Sequence, residues 1–276
     1  MSENTIIIEV GQSEKNYWKN LWKYKELFYI LSWRDVKVRY KQTTIGLLWA
    51  ILRPFLTMVV FTIIFGNFAG MNSDKTIPYA IVVFAGLFPW QFFSSSFSSA
   101  SESLILNSNL LTKVYFPRLI VPISAIVTNF VDFLISFFIL VILMIYFQFL
   151  PSYNIVFLPF FIILTILLSC GLGIYLAVLN VKYRDFRYVT PFIVQMGLYI
   201  SPVGFSSKVV PEKWQLLYNL NPMVGIIDGF RWCIIGDTSA SPFTLNFLIS
   251  IILTFAILLF SIYKFRKLEK TFADII

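Results

Sequence analysis

Three cationic side chains in this chain are spaced so that they could bind phosphate together. Arg34, Lys37 and Lys41 lie at i, i+3 and i+7 in a stretch of helical period, so they share one helix face. Guanidinium and ammonium groups are common partners of phosphate in proteins. The face is therefore a candidate site for the phosphate of an anionic lipid. The alternative is a basic flank that only keeps this segment on the cytoplasmic side of a bilayer.

The other reactive residue types do not assemble into a site. The chain has no histidine and no Gly-Lys pair, so it lacks imidazole ligands and the phosphate-binding loop of P-loop ATPases. Asp185, Asp228 and Asp237 form no acidic cluster, which disfavours a membrane-bound lipid-linked glycan transferase. Cys170 lies in an apolar run, and Cys233 lies in a segment that we place on the opposite side of the bilayer. We predict no catalytic residue, no metal and no cofactor on this chain.

Composition predicts an all-α integral membrane protein. Hydrophobic residues make up 58% of the 276 residues and charged residues only 13%, whereas a soluble domain carries about a quarter charged residues. Most of the net charge of +8 borders apolar runs, so we attribute it to topology and lipid contact and not to nucleic acid. The predicted domains are a cytoplasmic arm at 1–43, a six-span domain at 44–263 and a cytoplasmic tail at 264–276. The spans are predicted at 44–66, 77–97, 119–149, 155–181, 189–205 and 243–263.

The distribution of basic residues predicts the orientation. Of the 22 lysines and arginines, the side opposite the termini receives four, which are Lys75, Lys208, Lys213 and Arg231. By the positive-inside rule both termini are therefore expected in the cytoplasm. Residues 1–16 are polar and do not resemble a cleaved signal peptide.

The arm is predicted to contain an amphipathic helix at 17–29 that lies flat on the membrane with one aromatic face down. That face would hold Tyr17, Leu21, Tyr24 and Phe28, together with Trp18 and Trp22. A solvated linker helix is the alternative, although it would expose the aromatic side chains to water.

Two charges are expected inside the membrane. A first span at 44–66 places Arg53 within the bilayer, and Pro54 beside it should bend the helix. Asp132 is the deepest carboxylate of the predicted third span. Because the two charges lie at comparable depth, we predict that Arg53 and Asp132 pair.

Two connecting segments are predicted to do more than link spans. The loop at 98–118 contains an amphipathic pattern with Leu104 and Leu111 at i, i+7, ending before Pro117. Such a helix suits a groove on a soluble partner, although a plain interfacial turn is the alternative. The apolar segment at 206–238 is predicted to form two short re-entrant helices, with Asp228 and Arg231 placed to pair. These helices could gate an exit or form a packed cap.

Four motifs in order resemble one family. They are WRDVKVRYKQTTIGLLWA, NSNLLTKVYFPRL, LNVKYRDFRYVTPFIVQMGLYISPV and YNLNPMVGIIDGFRW. Together they resemble the permease subunit of type-2 ABC exporters for polysaccharides, and within that family the O-antigen permeases. Teichoic-acid and capsule permeases share much of the pattern. The resemblance covers the chain from about residue 20 onward.

The resemblance implies a homodimer in the bacterial inner membrane that works with two copies of a cytoplasmic ABC ATPase, on which ATP and magnesium are bound. The implied substrate is an undecaprenyl-diphosphate-linked polysaccharide, whose diphosphate would meet Arg34, Lys37 and Lys41. The ATPase would contact the arm and the 98–118 loop, for which the candidate residues are Asn107, Asn109, Leu110 and Lys113. The exit would be gated near Asn221, Pro222, Asp228 and Arg231.

The aromatic surplus is compatible with a saccharide conduit, because flat rings can stack on sugar faces. The candidate channel-lining residues are Trp49, Phe55, Phe61, Phe192 and Tyr199. For each of them, packing against lipid or a place in an interfacial belt is the alternative. A type-2 exporter of drugs or small lipids is a rival function that differs in substrate and not in architecture.

Overall fold

The computed structural model describes residues 17–41, 46–68, 70, 77–183, 185–236 and 245–269. The described residues form eleven α-helices and contain no strand, which confirms the all-α prediction. The arm contains α1 and α2, and a π-helical turn, Thr62–Phe68, follows α3. The α-helices are α1 Tyr17–Lys23, α2 Lys25–Lys41, α3 Gly46–Phe61, α4 Tyr79–Leu106, α5 Ser108–Lys113, α6 Ile120–Tyr146, α7 Leu158–Lys182, α8 Phe186–Ile200, α9 Glu212–Tyr218, α10 Pro222–Ile235 and α11 Leu245–Leu268.

Five helical segments of the described chain are long and apolar enough to cross a membrane. They are Leu48–Gly66, Tyr79–Leu106, Ile120–Tyr146, Tyr153–Lys182 and Phe247–Leu268. The predicted fifth span, 189–205, is not among them, because α8 has 15 residues and is about 22 Å long. The chain leaves α8 at Ser201 and continues into a buried turn at Ser201–Gly204.

The helix at the centre of the bundle is α4. It packs against α3, α6, α7, α8 and α10, and Phe84, Phe88 and Phe97 on it are fully buried. Apart from Gln91, its residues up to Glu102 are apolar or small on all sides, which is typical of a helix surrounded by others. The Phe88 ring stacks on that of Phe133 in α6 with centroids 4.2 Å apart.

Helix α4 runs farther than its sequence suggests. The predicted second span ends at Phe97, but the helix continues to Leu106, and Leu104 is buried as part of it. The predicted helix holding both Leu104 and Leu111 is therefore wrong, because the break falls at Asn107 and Leu111 lies on the separate helix α5. The serine-rich stretch is compatible with burial because the hydroxyls of Ser101 and Ser103 bond to carbonyls of their own helix.

The arm has two apolar faces and not one. Tyr17 is buried, and Leu21, Tyr24 and Phe28 pack against the core of the protein. Trp18 and Trp22 are 56% and 75% exposed. The predicted single aromatic face is therefore corrected: its other members cover protein, and these two tryptophans stay on the surface.

The beginning of α1, the segment before α6 and the end of α11 meet at one end of the bundle. The Glu269 carboxylate accepts a hydrogen bond from the Arg118 backbone N–H at 2.9 Å. The Arg118 guanidinium donates to the Glu269 carbonyl at 2.7 Å, and the Tyr17 hydroxyl to its carboxylate at 3.4 Å. Burial, and then the charge of Glu269, raise the pKa of Tyr17. We call this end, which also carries α5, the basic end, and the end that carries α9 and α10 the opposite end.

Close packing of α4 on α7 depends on Gly173. A Cβ atom built on Gly173 would lie 2.6 Å from the Cβ of Ala100, closer than two carbon atoms can approach. We expect Gly173→Ala to lower the free energy of unfolding by about 1–3 kcal/mol, as overpacking commonly does. Thermal unfolding of the detergent-purified protein would measure the loss.

The double variant Ala100→Gly/Gly173→Ala is the matched control, since it moves the methyl group from α4 to α7 across their interface. It should recover most of the stability, because the total volume of the pair is unchanged. A single Gly173→Ala variant as stable as the unsubstituted protein would contradict the close approach of α4 and α7.

Candidate functional site

The three cationic residues predicted to bind phosphate lie on α2 and are accessible. Arg34, Lys37 and Lys41 are all exposed. The Lys37 ammonium lies 5.3 Å from the centroid of the Trp33 ring, a cation–π contact that leaves its other side open. The three residues therefore keep a cationic surface on the outer side of α2.

Arg34 also joins two sites that sequence reasoning kept apart. Its Nε donates to the Asp35 carboxylate at 2.9 Å, and its Nη2 donates to Oδ1 of Asn107 at 3.0 Å. Asn107 lies at the break between α4 and α5 and donates through Nδ2 to the Ser103 carbonyl. A residue predicted to bind diphosphate thus contacts a residue predicted to couple to an ATPase.

The carboxylate of Asp132 pairs with an arginine that the sequence analysis did not single out. Nη1 of Arg39, on α2, lies 2.5 Å from Oδ2 of Asp132 and 3.0 Å from Oδ1 of Asn129. The Tyr40 hydroxyl donates to the other oxygen of Asp132. We call these four residues the α2–α6 cluster.

The predicted Arg53–Asp132 pair is therefore wrong. Arg53 is exposed on α3, where its carbonyl accepts a hydrogen bond from the Thr57 hydroxyl at 2.7 Å. The prediction compared the depth of charges in the spans only. It therefore missed Arg39, which lies on α2 outside the spans, where α2 packs along α6. A usable signal existed: Phe28, Ser32 and Arg39 follow helical period on the face of α2 that packs inward.

Helix α5 exposes part of the predicted coupling set. Asn109 and Lys113 are exposed, whereas Leu110 is half-buried and Leu111 is buried beneath it. Val114 and Tyr115, which follow the helix, are 49% and 47% exposed. The helix therefore has an anchored apolar side and an outward side of mixed polar and apolar character.

Arg231 at the opposite end is a buried residue. It is 3% exposed, and its guanidinium donates to the carbonyls of Phe205 at 2.6 Å and Val203 at 2.8 Å. The Tyr79 hydroxyl donates to the Gly204 carbonyl between them at 2.7 Å. Three consecutive carbonyls of the turn after α8 are thus satisfied by side chains, as backbone groups away from water require.

Two further residues of the predicted exit gate position α10. Asn221 caps the helix by accepting from the Met223 N–H at 3.0 Å, and its Nδ2 donates to the Ser201 hydroxyl at 2.9 Å. Pro222 occupies the first turn, where a missing N–H costs nothing. Asp228 is half-buried on the same helix.

The candidate channel-lining aromatics divide into two groups. Phe61 packs on Phe65 with ring centroids 5.4 Å apart, and both rings crowd against Gly204. The others lie on α3 and α8 with exposed fractions of 40% to 64%: Trp49, Phe55, Phe192 and Tyr199. Both helices pack on α4 and leave their outer faces uncovered.

Comparison with known proteins gives a consistent result. The profile of the ABC-2 type transporter family matches residues 26–235. The chain is 28% identical over 253 residues to the O-antigen export system permease protein RfbA of Klebsiella pneumoniae, covering 91% of this chain and 95% of that protein. It is 29% identical over 216 residues to the protein of the same name from Myxococcus xanthus, covering 77% and 82%. It is 24% identical over 239 residues to the polysialic acid transport protein KpsM of Escherichia coli, covering 85% and 91%.

We expect Arg231→Met to destabilise the protein because it leaves the carbonyls of Val203 and Phe205 without their donors. An unsatisfied buried polar group costs roughly 1–3 kcal/mol, so the midpoint of thermal unfolding in detergent should fall by several degrees. Arg231→Lys should lose less, since an ammonium can still reach one of the two oxygens.

Lys213→Met removes the same charge from an exposed position at the same end and is the matched control. It should unfold at the midpoint of the unsubstituted protein. Equal midpoints for the Arg231→Met and Lys213→Met variants would mean that the guanidinium does not hold the turn.

Proposed function

The chain belongs to the ABC-2 type transporter family, and we propose that it forms the channel of an exporter for undecaprenyl-diphosphate-linked polysaccharide of the O-antigen type. It is a multi-pass membrane protein and a transport permease. Members of this family are not themselves enzymes, and ATP hydrolysis takes place on a partner subunit.

The observation that carries the substrate proposal is the extent of similarity to O-antigen export permeases. Two such proteins match along 91% and 77% of this chain, so the likeness extends over most of its length. The accessible cations of α2 add a chemical reason. Arg34, Lys37 and Lys41 offer three cationic groups to a diphosphate at the end where a cytoplasmic lipid-linked glycan would be loaded.

We propose six crossings, with both termini in the cytoplasm of a bacterium and α8 as a short fifth crossing. The path of the chain supports this arrangement. Helix α8 begins four residues after the last residue of α7, and the turn that follows α8 is bonded to Tyr79 at the start of α4. The chain therefore returns along the bundle between these two points. The excess of lysine and arginine at the basic end supports its placement on the cytoplasmic side of the inner membrane.

Of the two helices predicted to be re-entrant, α9 has no buried residue and so lacks the cover of protein that membrane depth requires. We further propose that α10 is re-entrant. Burial of α10 supports this, since Ile226, Ile227 and Phe230 on different sides of it are fully buried. Gly225 approaches α11 and Gly229 approaches α7 so closely that an added Cβ atom would collide with Ser250 and Phe161, respectively. Irregular backbone at membrane depth must be enclosed by protein or line a water-filled cavity. The ends of α10 meet this requirement because the helix is surrounded by other parts of the bundle.

The proposed assembly is a homodimer with two ATPase copies. Of the apolar window of Leu48–Gly66 only 11% is buried within the subunit, against 72% for Tyr79–Leu106. A second copy could cover the outer faces of α3 and α8, and the channel would then pass between Trp49, Phe55, Phe192 and Tyr199. The exposed side of α5, with Asn109 and Lys113, is the proposed contact for the ATPase.

A capsule or teichoic-acid exporter is the second candidate function. It is favoured by the similarity to the polysialic acid transport protein, which extends over 85% of this chain. A transporter for smaller lipids or drugs would share the architecture. Cells that lack the partner ATPase distinguish this last class from the polysaccharide exporters, because only a polysaccharide exporter should then leave lipid-linked glycan at the inner leaflet.

We expect the purified permease to bring down its ATPase, and the turnover of that complex to rise with added undecaprenyl-diphosphate-linked glycan. Replacing Arg34, Lys37 and Lys41 together by glutamine should weaken the glycan stimulation by about tenfold or more, because charge-assisted bonds to the diphosphate are lost. Basal ATP hydrolysis and assembly should stay unchanged.

The matched control replaces the exposed lysines Lys19, Lys23 and Lys25, which lie on the same arm and remove the same charge. It should retain glycan stimulation. Turnover that does not respond to glycan in the unsubstituted complex would contradict the substrate class. Equal glycan stimulation in both triple variants would contradict the diphosphate site alone.

A further inference from the structure

The C-terminal end of α2 is bonded to α6 at a depth where charges are expensive. Helix α6 has 27 residues and is about 40 Å long, roughly 10 Å more than the hydrocarbon core of a bilayer. Asp132 follows the first residue of α6, Ile120, by about 18 Å at helical rise. Even if all the excess length projects from the basic end, Asp132 remains inside the core.

Within the α2–α6 cluster each charged group has a partner of the opposite charge or a hydrogen-bond donor. One carboxylate oxygen of Asp132 accepts from Arg39 and the other from Tyr40. Asn129, which is 1% exposed, accepts from Arg39 and donates to the Ala125 carbonyl at 2.8 Å. Arg39 and Asp132 keep 36% and 31% of their side-chain surface uncovered by the subunit. At this depth, separating α2 from α6 would leave a carboxylate and a guanidinium unpaired beside hydrocarbon, so this contact resists opening.

A second and weaker polar contact lies nearer the middle of α2, where Leu31 and Phe28 also pack against the protein. The bond from Arg34 to Asn107 is a single, exposed hydrogen bond of 3.0 Å. It lies five positions before Arg39, about 7.5 Å along the helix. Because Asn107 marks the break between α4 and α5, a displacement of α5 acts on α2 at this weaker contact, while the end of α2 stays on α6.

We propose that Arg39 and Asp132 are positioning residues that form the pivot on which α2 tilts during transport. The proposal rests on the function proposed above, in which α5 receives the motion of the ATPase. A pull at Asn107 then rotates α2 about the pair and does not withdraw it from the membrane. The rotation moves the cationic face of Arg34, Lys37 and Lys41, and it is passed on to α3, which begins five residues after Lys41.

Reconstituted complexes of permease and ATPase in proteoliposomes test the pivot through glycan exported per ATP hydrolysed. Arg39→Gln and Asp132→Asn should each assemble less fully, because one charge loses its partner, and the complexes that do assemble should hydrolyse ATP at near the unsubstituted rate. Export per ATP in those complexes should fall by about tenfold, the size of effect seen for residues that carry coupling. The exchanged pair Arg39→Asp/Asp132→Arg should recover export to within roughly threefold. Lys25→Gln, an exposed charge loss on the same helix, is the control and should be unchanged.

Distances measured by pulsed electron paramagnetic resonance give a readout that needs no glycan. Spin labels on exposed Val38 and Ile30 of α2, each paired with Ile142 of α6, would be placed in a Cys170→Ala/Cys233→Ala background. A trapped ATP state should leave the Val38–Ile142 distance unchanged and shift the Ile30–Ile142 distance. In the Arg39→Gln variant the distribution of Val38–Ile142 distances should broaden.

Three results would overturn the pivot. They are normal export per ATP in both single variants, loss of export only in proportion to lost assembly, and equal shifts of both distances on ATP binding. Failure of the substrate proposal is distinct, because it would appear as a glycan-independent turnover in the unsubstituted complex.

Discussion

A charge or an open backbone group at membrane depth must find its partner inside the protein, and two arginines meet this requirement at the two ends of the bundle. Arg39 neutralises Asp132 on α6, and Arg231 satisfies the carbonyls of Val203 and Phe205. Neither arginine lies on one of the five long spans. Each comes from a shorter helix that is thereby held against the bundle, so the charges determine where α2 and α10 can be.

The bundle that receives these helices is organised around α4. Burial of Phe84, Phe88 and Phe97 gives α4 an apolar surface on several sides, while Gly86 leaves room for Arg231: a Cβ atom there would lie 2.9 Å from its guanidinium and 2.7 Å from the Val203 carbonyl. The same helix ends at Asn107, which contacts Arg34. One rigid helix therefore connects the turn after α8 with the arm at the basic end.

The long spans could be predicted from sequence because an apolar run of about 20 residues needs no tertiary information to be identified. The ends of helices could not, since Ser101 and Ser103 look like loop residues until their hydroxyls bond to the helix itself. The partner of Asp132 was missed because depth was compared between spans only. For α10, glycine and proline spacing predicted short helices, but the carbonyls that Arg231 binds come from a turn that periodicity does not reveal.

The exposed face of α3 is informative about what lies beside it. Trp49, Arg53 and Leu56 fall on one stripe at i, i+4 and i+7, and all three are exposed in the isolated subunit. An apolar stripe alone would be equally compatible with lipid. A guanidinium five residues inside the apolar segment that begins at Leu48 is costly against hydrocarbon unless it reaches water or a polar partner. The charge therefore favours a water-containing path or a second subunit over lipid at this face, which is the surface where the proposed channel would run.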